Sequence, residues 1–141
     1  MSQTQLRKTN PTKWLTVTAM LMAMNVVMSS FSIPVPGGHL YLNDAVICTA
    51  AILLDPLGAF IVGGVGAFLG DFFFYPAPMF VSLVTHGLQA AVISLCVHKL
   101  SVDHRKRGAL VGVILGVVIN VVGYFHRYIN FQPRYIPFVV E

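Results

Sequence analysis

Charged residues are scarce in this sequence, and their scarcity excludes most soluble folds. Lys, Arg, Asp and Glu make up 10% of the chain, whereas 56% of its residues are hydrophobic. The mean hydropathy is +0.76. A soluble domain carries about 25% charged residues, which help to cover its surface. The 141 residues are therefore predicted to form an integral membrane protein.

Acidic residues and cysteines are also few. Five acidic and nine basic residues give a net charge of +4, but the basic residues cluster at the ends of apolar runs. This distribution is typical of the positive-inside rule and not of a nucleic-acid-binding surface. Cys48 and Cys96 each lie within an apolar run, and we expect both to be buried free thiols without a redox role. No Cys/His spacing is typical of a zinc site.

The chemistry of a catalytic centre is missing from the sequence as well. There is no G-x-x-x-x-G-K-[ST] phosphate-binding loop, so we do not expect the chain to hydrolyse ATP. No Ser/His/Asp set, metal-ligand cluster or pair of carboxylates at a shared depth is visible. We expect neither an enzyme nor a cofactor in this chain.

Apolar runs of nearly bilayer-spanning length make up most of the sequence. They predict an all-α, multi-pass helical bundle in one membrane domain over residues 1–141, with five helices and an irregular tail at 127–141. The predicted helices cover about 13–32, 42–55, 57–74, 78–99 and 108–126. We interpret the first run as a retained helix and not as a signal peptide, because it is long for such a segment.

The basic residues also predict an orientation. Seven of the nine lie in the N-terminal segment or between residues 99 and 107, which places both at the cytoplasmic face. The links at 33–41 and 75–78 contain no Lys or Arg and are predicted to be external.

The fourth predicted helix carries a polar stripe. Ser82, Thr85, His86 and Gln89 fall within an arc of about 100° on a helix. Such a stripe must face protein or a water-filled cavity, since hydrocarbon offers no hydrogen-bond partner. The stripe fits either a structural network or a ligand cavity, and His and Gln together supply the donors and acceptors that a small heterocycle would need.

Polar and aromatic residues also gather where the helices are predicted to reach the outer face. The stretch "IPVPGGHLYLNDAV" begins with turn residues and is interpreted as a movable lid. An interfacial aromatic belt without a ligand is the alternative, and Asp44 could instead cap its helix. With the stripe, the candidate substrate-binding residues are His39, Tyr41, Asn43, Asp44, Ser82, His86, Gln89, Asn120 and Tyr124.

Small residues four apart mark a surface of the first helix. Ala19 and Ala23 would let another helix approach closely. Their spacing fits either packing inside the bundle, which spacing alone favours, or docking of a partner membrane protein.

The ordered motifs of the middle of the chain resemble a known family. "LNDAV", "LDPLGAFIVGGVGAFLGD", "YPAP" and "HGLQA" follow one another as in the S-components of energy-coupling factor (ECF) transporters, which capture vitamins. The resemblance covers roughly residues 13 to 125. Asn43 stands where the family pattern has glycine, and the pattern fades after "VVGYF", so a sixth helix is expected to be missing or truncated.

The resemblance implies a fold, partners and a mechanism. It implies a six-helix bundle in the bacterial plasma membrane with an external vitamin site under a lid. It also implies a complex with one T-type membrane subunit and two ATPases that use ATP, with the S-component toppling to deliver its substrate. In this family Ala19 and Ala23 would dock on the T subunit.

The substrate implied is a vitamin of the riboflavin, pantothenate, hydroxymethylpyrimidine or pyridoxine branch. Hydroxymethylpyrimidine or pyridoxine is the preferred expectation, with His86 and Gln89 bonding the ring edge and Tyr41 or Tyr124 stacking on its face.

Two other functions stay open at this point. One is a self-sufficient carrier that couples protons through Asp71 and His86, although such carriers usually contain repeated halves and none is visible. The other is a membrane scaffold without transport activity, which would not need a polar stripe.

Overall fold

A computed structural model describes residues 7–35, 38–74, 76, 79–99 and 105–131, with the backbone alone at 32–35, 38–41, 105–106, 128 and 130–131. It is a helical bundle with one short β-hairpin. In chain order the elements are α1 Pro11–Ser29, β1 Ser32–Val35, β2 Gly38–Tyr41, α2 Asn43–Leu53, α3 Pro56–Phe60, a π-helical turn Ile61–Val65, α4 Gly66–Phe74, α5 Met79–Lys99 and α6 Arg105–Phe131.

The predicted all-α membrane bundle is confirmed. Within the described ranges, three helical spans are long and apolar enough to cross a bilayer, namely Pro56–Phe74, Met79–Lys99 and Arg107–Arg127. Asn43–Leu53 is apolar but shorter. The first and second predicted helices correspond to α1 and α2, so each predicted helix has its counterpart.

Several predicted boundaries were wrong. The first helix ends at Ser29 instead of residue 32, because the chain turns there into the antiparallel hairpin that pairs Ser32 with Tyr41. The last helix continues to Phe131, so residues 127–131 are helical and not part of an irregular tail. Proline lies at 133, which leaves the preceding turn free to stay helical.

Helix α1 turns its polar side inward. Asn25 is fully buried and Thr18 is 3% exposed, whereas Leu15 and Met20 are more than 60% exposed. Because lipid offers no hydrogen bonds, this inside-out arrangement is expected for a helix that packs in a membrane. It also explains why α1 is less apolar than the three long spans.

The π-helical turn joins α1 to the middle of the bundle. Asn25 Nδ2 donates to the Val62 carbonyl at 2.6 Å, within that turn. A Cβ added at Gly66 would lie 2.6 Å from Asn25 Nδ2, and one at Gly70 would lie 2.5 Å from Ser29 Oγ. The two glycines are therefore required for close approach of α1.

Helix α5 forms the centre of the bundle, with α2, α3, α4 and α6 around it. A core of small and branched side chains packs around its C-terminal half and comprises Ile47, Ala51, Ala59, Ala90, Ile93 and Val97. A second group joins α1 to the same region and comprises Ala50, Leu54 and Val62 with Leu21 and Met22. This core fixes α5, which carries the polar stripe.

A buried carboxylate joins α1 to the start of α3, at the end of the bundle opposite the hairpin. Asp55 is 2% exposed and caps α3 by accepting from the Gly58 N–H at 3.4 Å. The Trp14 indole N–H donates to the same carboxyl at 2.7 Å, and the Arg7 guanidinium pairs with it at 3.2 Å. The negative charge therefore has three donors, which makes its burial tolerable.

Removal of this carboxylate is expected to destabilise the bundle. In Asp55→Ala, Trp14 loses its acceptor and α3 loses its cap, at a cost of about 3 kcal/mol in the free energy of unfolding. The midpoint of thermal unfolding in detergent should fall by roughly 5–10 °C. Lys8→Ala is the control, because Lys8 is an exposed neighbour of Arg7. An unchanged midpoint for Asp55→Ala would contradict the stabilising role.

Candidate functional site

A hydrogen-bond network connects the N-terminal half of α5 to α6. The Tyr124 hydroxyl lies 2.8 Å from Ser82 Oγ and 3.3 Å from His86 Nε2. His86 Nδ1 lies 3.0 Å from Gln89 Oε1, which also accepts from Asn120 Nδ2 at 3.1 Å. Five of the predicted binding residues are thus brought together.

The geometry assigns donors and acceptors along the network. The Gln89 oxygen can only accept, so His86 Nδ1 carries the proton of that contact. In the neutral imidazole, Nε2 then accepts from the Tyr124 hydroxyl. The Tyr124 oxygen accepts in turn from Ser82.

The network is buried although it consists of polar groups. Ser82 is 1% exposed, Gln89 2%, Thr85 5% and His86 7%. Thr85, the fourth member of the stripe, donates to the Val81 carbonyl in its own helix. The stripe therefore faces protein, which is one of the two surroundings that the sequence allowed, and its polar ends meet those of α6.

Helix α6 reaches the stripe because its glycines let it approach α5. A Cβ at Gly116 would lie 3.0 Å from Gln89 Cγ, and one at Gly123 would collide with Thr85. Asn120 and Tyr124 lie between and beside these glycines, on the same side of the helix. The close approach places both side chains on His86 and Gln89.

The start of α2 supplies two further predicted residues. Asp44 Oδ1 lies 3.5 Å from His86 Nδ1. The expectation that Asp44 caps its helix was wrong, because the N-cap is Leu42 and no side-chain capping bond is formed. Asn43 is 6% exposed and donates to Ser29 Oγ at 3.4 Å, so it faces α1.

Asp71, near the end of α4, also borders the network, although it was not among the predicted binding residues. Its carboxyl is hydrogen-bonded to Ser82 and interacts electrostatically with His86 and Arg127. The single Ser82 proton therefore has two acceptors, Asp71 and Tyr124. The sequence signal was an acidic residue at the end of an apolar span, which is a functional indication in a membrane helix.

Several buried oxygens near the network have no hydrogen-bond partner. In the described part of the chain, the buried side-chain atoms without a partner are all oxygens, on Asn25, Asn43, Asp44, Asp71 and Asn120. Buried acceptors without donors cost about 1–3 kcal/mol each. All but Asn25 lie near His86 or at the start of α2.

Other predicted residues lie away from this network. His39 and Tyr41 are in β2, but their side chains are outside the described part of the structure. Ala19 and Ala23 are exposed on α1, so the interpretation that they pack inside the bundle was wrong. Cys96 is buried and Cys48 half-buried, and both are free thiols.

The comparison with protein families agrees with this architecture. Residues 9–132 match the family model described as "ECF-type riboflavin transporter, S component". No curated protein matches the chain. Because the match covers most of the sequence and the fold is a membrane bundle with polar side chains buried near one end, the chain belongs to this family of vitamin-capturing, non-enzymatic membrane subunits of ECF transporters.

Proposed function

We propose that this S-component captures a small heteroaromatic vitamin or vitamin precursor at the external face. The observation that carries the proposal is the buried network of Ser82, His86, Gln89, Asn120 and Tyr124. Apolar side chains would fill this space at lower cost, because each buried polar group must be desolvated. A polar lining is useful where a ligand has polar edges of its own.

Hydroxymethylpyrimidine or pyridoxine is the proposed substrate. Each is a single six-membered ring with ring nitrogen and hydroxyl groups, which suits the mixed donors and acceptors of His86 and Gln89. Tyr124 offers an aromatic face beside His86, with the two ring centroids 6.0 Å apart. To admit the ring, some of the contacts among these side chains must exchange for contacts with the ligand.

Riboflavin is the second candidate, and the name of the matching family favours it. Its tricyclic ring needs more room between α5 and α6 than a single ring does. A direct comparison of the two classes of ligand therefore decides between them.

Delivery of the vitamin is proposed to require partners. The chain would act with one T-type membrane subunit, which docks on Ala19 and Ala23, and with two ATPases that supply the energy. The exposure of Ala19 and Ala23 on α1 supports the docking of the T subunit at these residues. The S-component would lie in a bacterial plasma membrane with its N-terminus at the cytoplasmic face. Toppling of the S-component would then carry the binding site across this membrane.

Vitamin binding by the purified chain tests the proposal. Thermal unfolding in detergent is followed with hydroxymethylpyrimidine, pyridoxine, pantothenate and riboflavin. A ligand at 100 times its Kd should stabilise the protein by about 2.7 kcal/mol. A protein that responds to none of the four would contradict the proposed function.

His86→Leu is expected to weaken binding of the vitamin about 100-fold. The change removes both ring nitrogens and so at least two hydrogen bonds to the ligand or to the groups that hold it. The matched control is His98→Leu on the same helix, because His98 Nε2 donates to the Leu54 carbonyl at the other end. Titration of both variants should show the loss in His86→Leu alone. Equal affinity in His86→Leu and the unaltered protein would exclude this site.

A further inference from the structure

The unpaired groups around the network are all hydrogen-bond acceptors. Asp44, Asp71 and Asn120 each have one buried oxygen without a partner. Each also borders the network: the unpaired Oδ1 of Asp44 lies 3.5 Å from His86 Nδ1 without forming a hydrogen bond, Asp71 is bonded to Ser82, and Asn120 donates to Gln89. These acceptors come from α2, α4 and α6, and they converge on α5 from three sides.

Among the described residues, these oxygens are left unpaired, whereas no buried side-chain nitrogen is without a partner. The one proton of Ser82 is shared between Asp71 and Tyr124, and the Nδ1 proton of His86 is given to Gln89. Neither histidine nor serine has a second proton to offer while the imidazole is neutral. A group that enters the site with N–H donors of its own would therefore satisfy these acceptors.

We propose, resting on the proposed function, that the site selects a ring bearing an N–H donor, such as an exocyclic amine, and that Asp44, Asp71 and Asn120 determine this specificity. A permanent cation is not required, because the Arg127 guanidinium already interacts with the Asp71 carboxyl. A neutral aminopyrimidine meets the need, since its two amine hydrogens match two of the unpaired oxygens. A ring whose polar edge consists of carbonyl groups would instead face acceptors with acceptors.

A pair of isosteric ligands tests the inference. The probe is 4-amino-5-hydroxymethyl-2-methylpyrimidine, and its partner carries a methyl group in place of the amine. Loss of the two donors leaves buried acceptors unpaired, so the methyl analogue should bind about 30-fold or more weakly. Isothermal titration of both ligands measures the ratio of their Kd values.

Variants of the protein then show which residues produce the preference for the amine-bearing ligand. Asp71→Asn keeps the size of the side chain and places an amide N–H in the site. The ratio of the Kd values of the two ligands should therefore shrink at least about fivefold. Asp55→Asn is the control, because that carboxylate lies at the opposite end of the bundle. It should leave the ratio unchanged even if it lowers the stability.

The outcomes separate this inference from the proposed function. If riboflavin binds and the aminopyrimidine does not, or if both isosteres bind equally, donor selection is wrong while vitamin capture stands. If the aminopyrimidine binds with the expected ratio but Asp71→Asn leaves that ratio unchanged, the assignment to Asp71 is overturned. Failure of every vitamin to bind overturns both.

Discussion

Replacement of Ala19 and Ala23 by leucine is expected to abolish vitamin uptake without weakening vitamin binding. Both residues are exposed on α1, and α1 presents apolar side chains such as Met20 and Met24 beside them. Helices in a membrane associate through close packing of small residues. Two isobutyl side chains in place of methyl groups would keep the T subunit from close contact with α1, at a cost of about 3 kcal/mol or roughly 100-fold in affinity.

The measurement is co-purification with the T subunit and its ATPases, together with uptake of labelled vitamin in cells. Titration of the isolated variant should give the unaltered Kd, because neither alanine contacts the network. The matched control replaces Val118 and Val122 by phenylalanine, since these residues are also four apart and more than half exposed, but on α6. If the alanine variant still co-purifies at full yield, the docking surface lies elsewhere on the chain.

The succession of helices could be predicted because hydropathy and proline mark it locally. Pro56 follows an apolar run and Asp55 caps the next helix, as the short "DP" link predicts. The π-helical turn at Ile61–Val65 could not be predicted, because no local signal marks it and its side-chain contact comes from Asn25, 37 residues away from Val62. The hairpin was interpreted only as a turn-rich lid, since proline and glycine obscure the alternation of a strand.

Part of the site could also be predicted, because helical periodicity is a property of the local sequence. Ser82, His86 and Gln89 share one face of α5 through helical spacing, and periodicity therefore identified them. The position of Asp44 beside His86 could not be derived, because local sequence gave it a capping role that tertiary structure replaced. Asp71 and Arg127 are 56 positions apart in sequence, and only the packing of α4 and α6 on α5 brings their charges together.

Substitution of Gly63 by alanine is expected to disrupt both the bundle and the site. An added Cβ would lie 2.7 Å from the Ala90 Cβ and 2.7 Å from the His86 carbonyl oxygen. Ordinary carbon contacts are about 3.5–4.0 Å, so the π-helical turn and α5 must separate by roughly 1 Å. Alanine gains about 1 kcal/mol of helix propensity over glycine, but this gain is smaller than the cost of overpacking against backbone that cannot rotate away.

The net loss of stability should be about 2 kcal/mol, and it should be accompanied by loss of vitamin binding. The reason is geometric: the atom that the new methyl group meets belongs to His86, so relief of the collision displaces the residue at the centre of the network. Gly58→Ala separates this effect from a general intolerance of buried glycines, because the three atoms nearest to its Cβ would be side-chain atoms at 3.1 Å or more. Thermal unfolding and vitamin titration of the two variants should show both losses in Gly63→Ala and neither in Gly58→Ala. A Gly63→Ala protein that unfolds at the same temperature and binds normally would mean that α5 is not held against the π-helical turn at this distance.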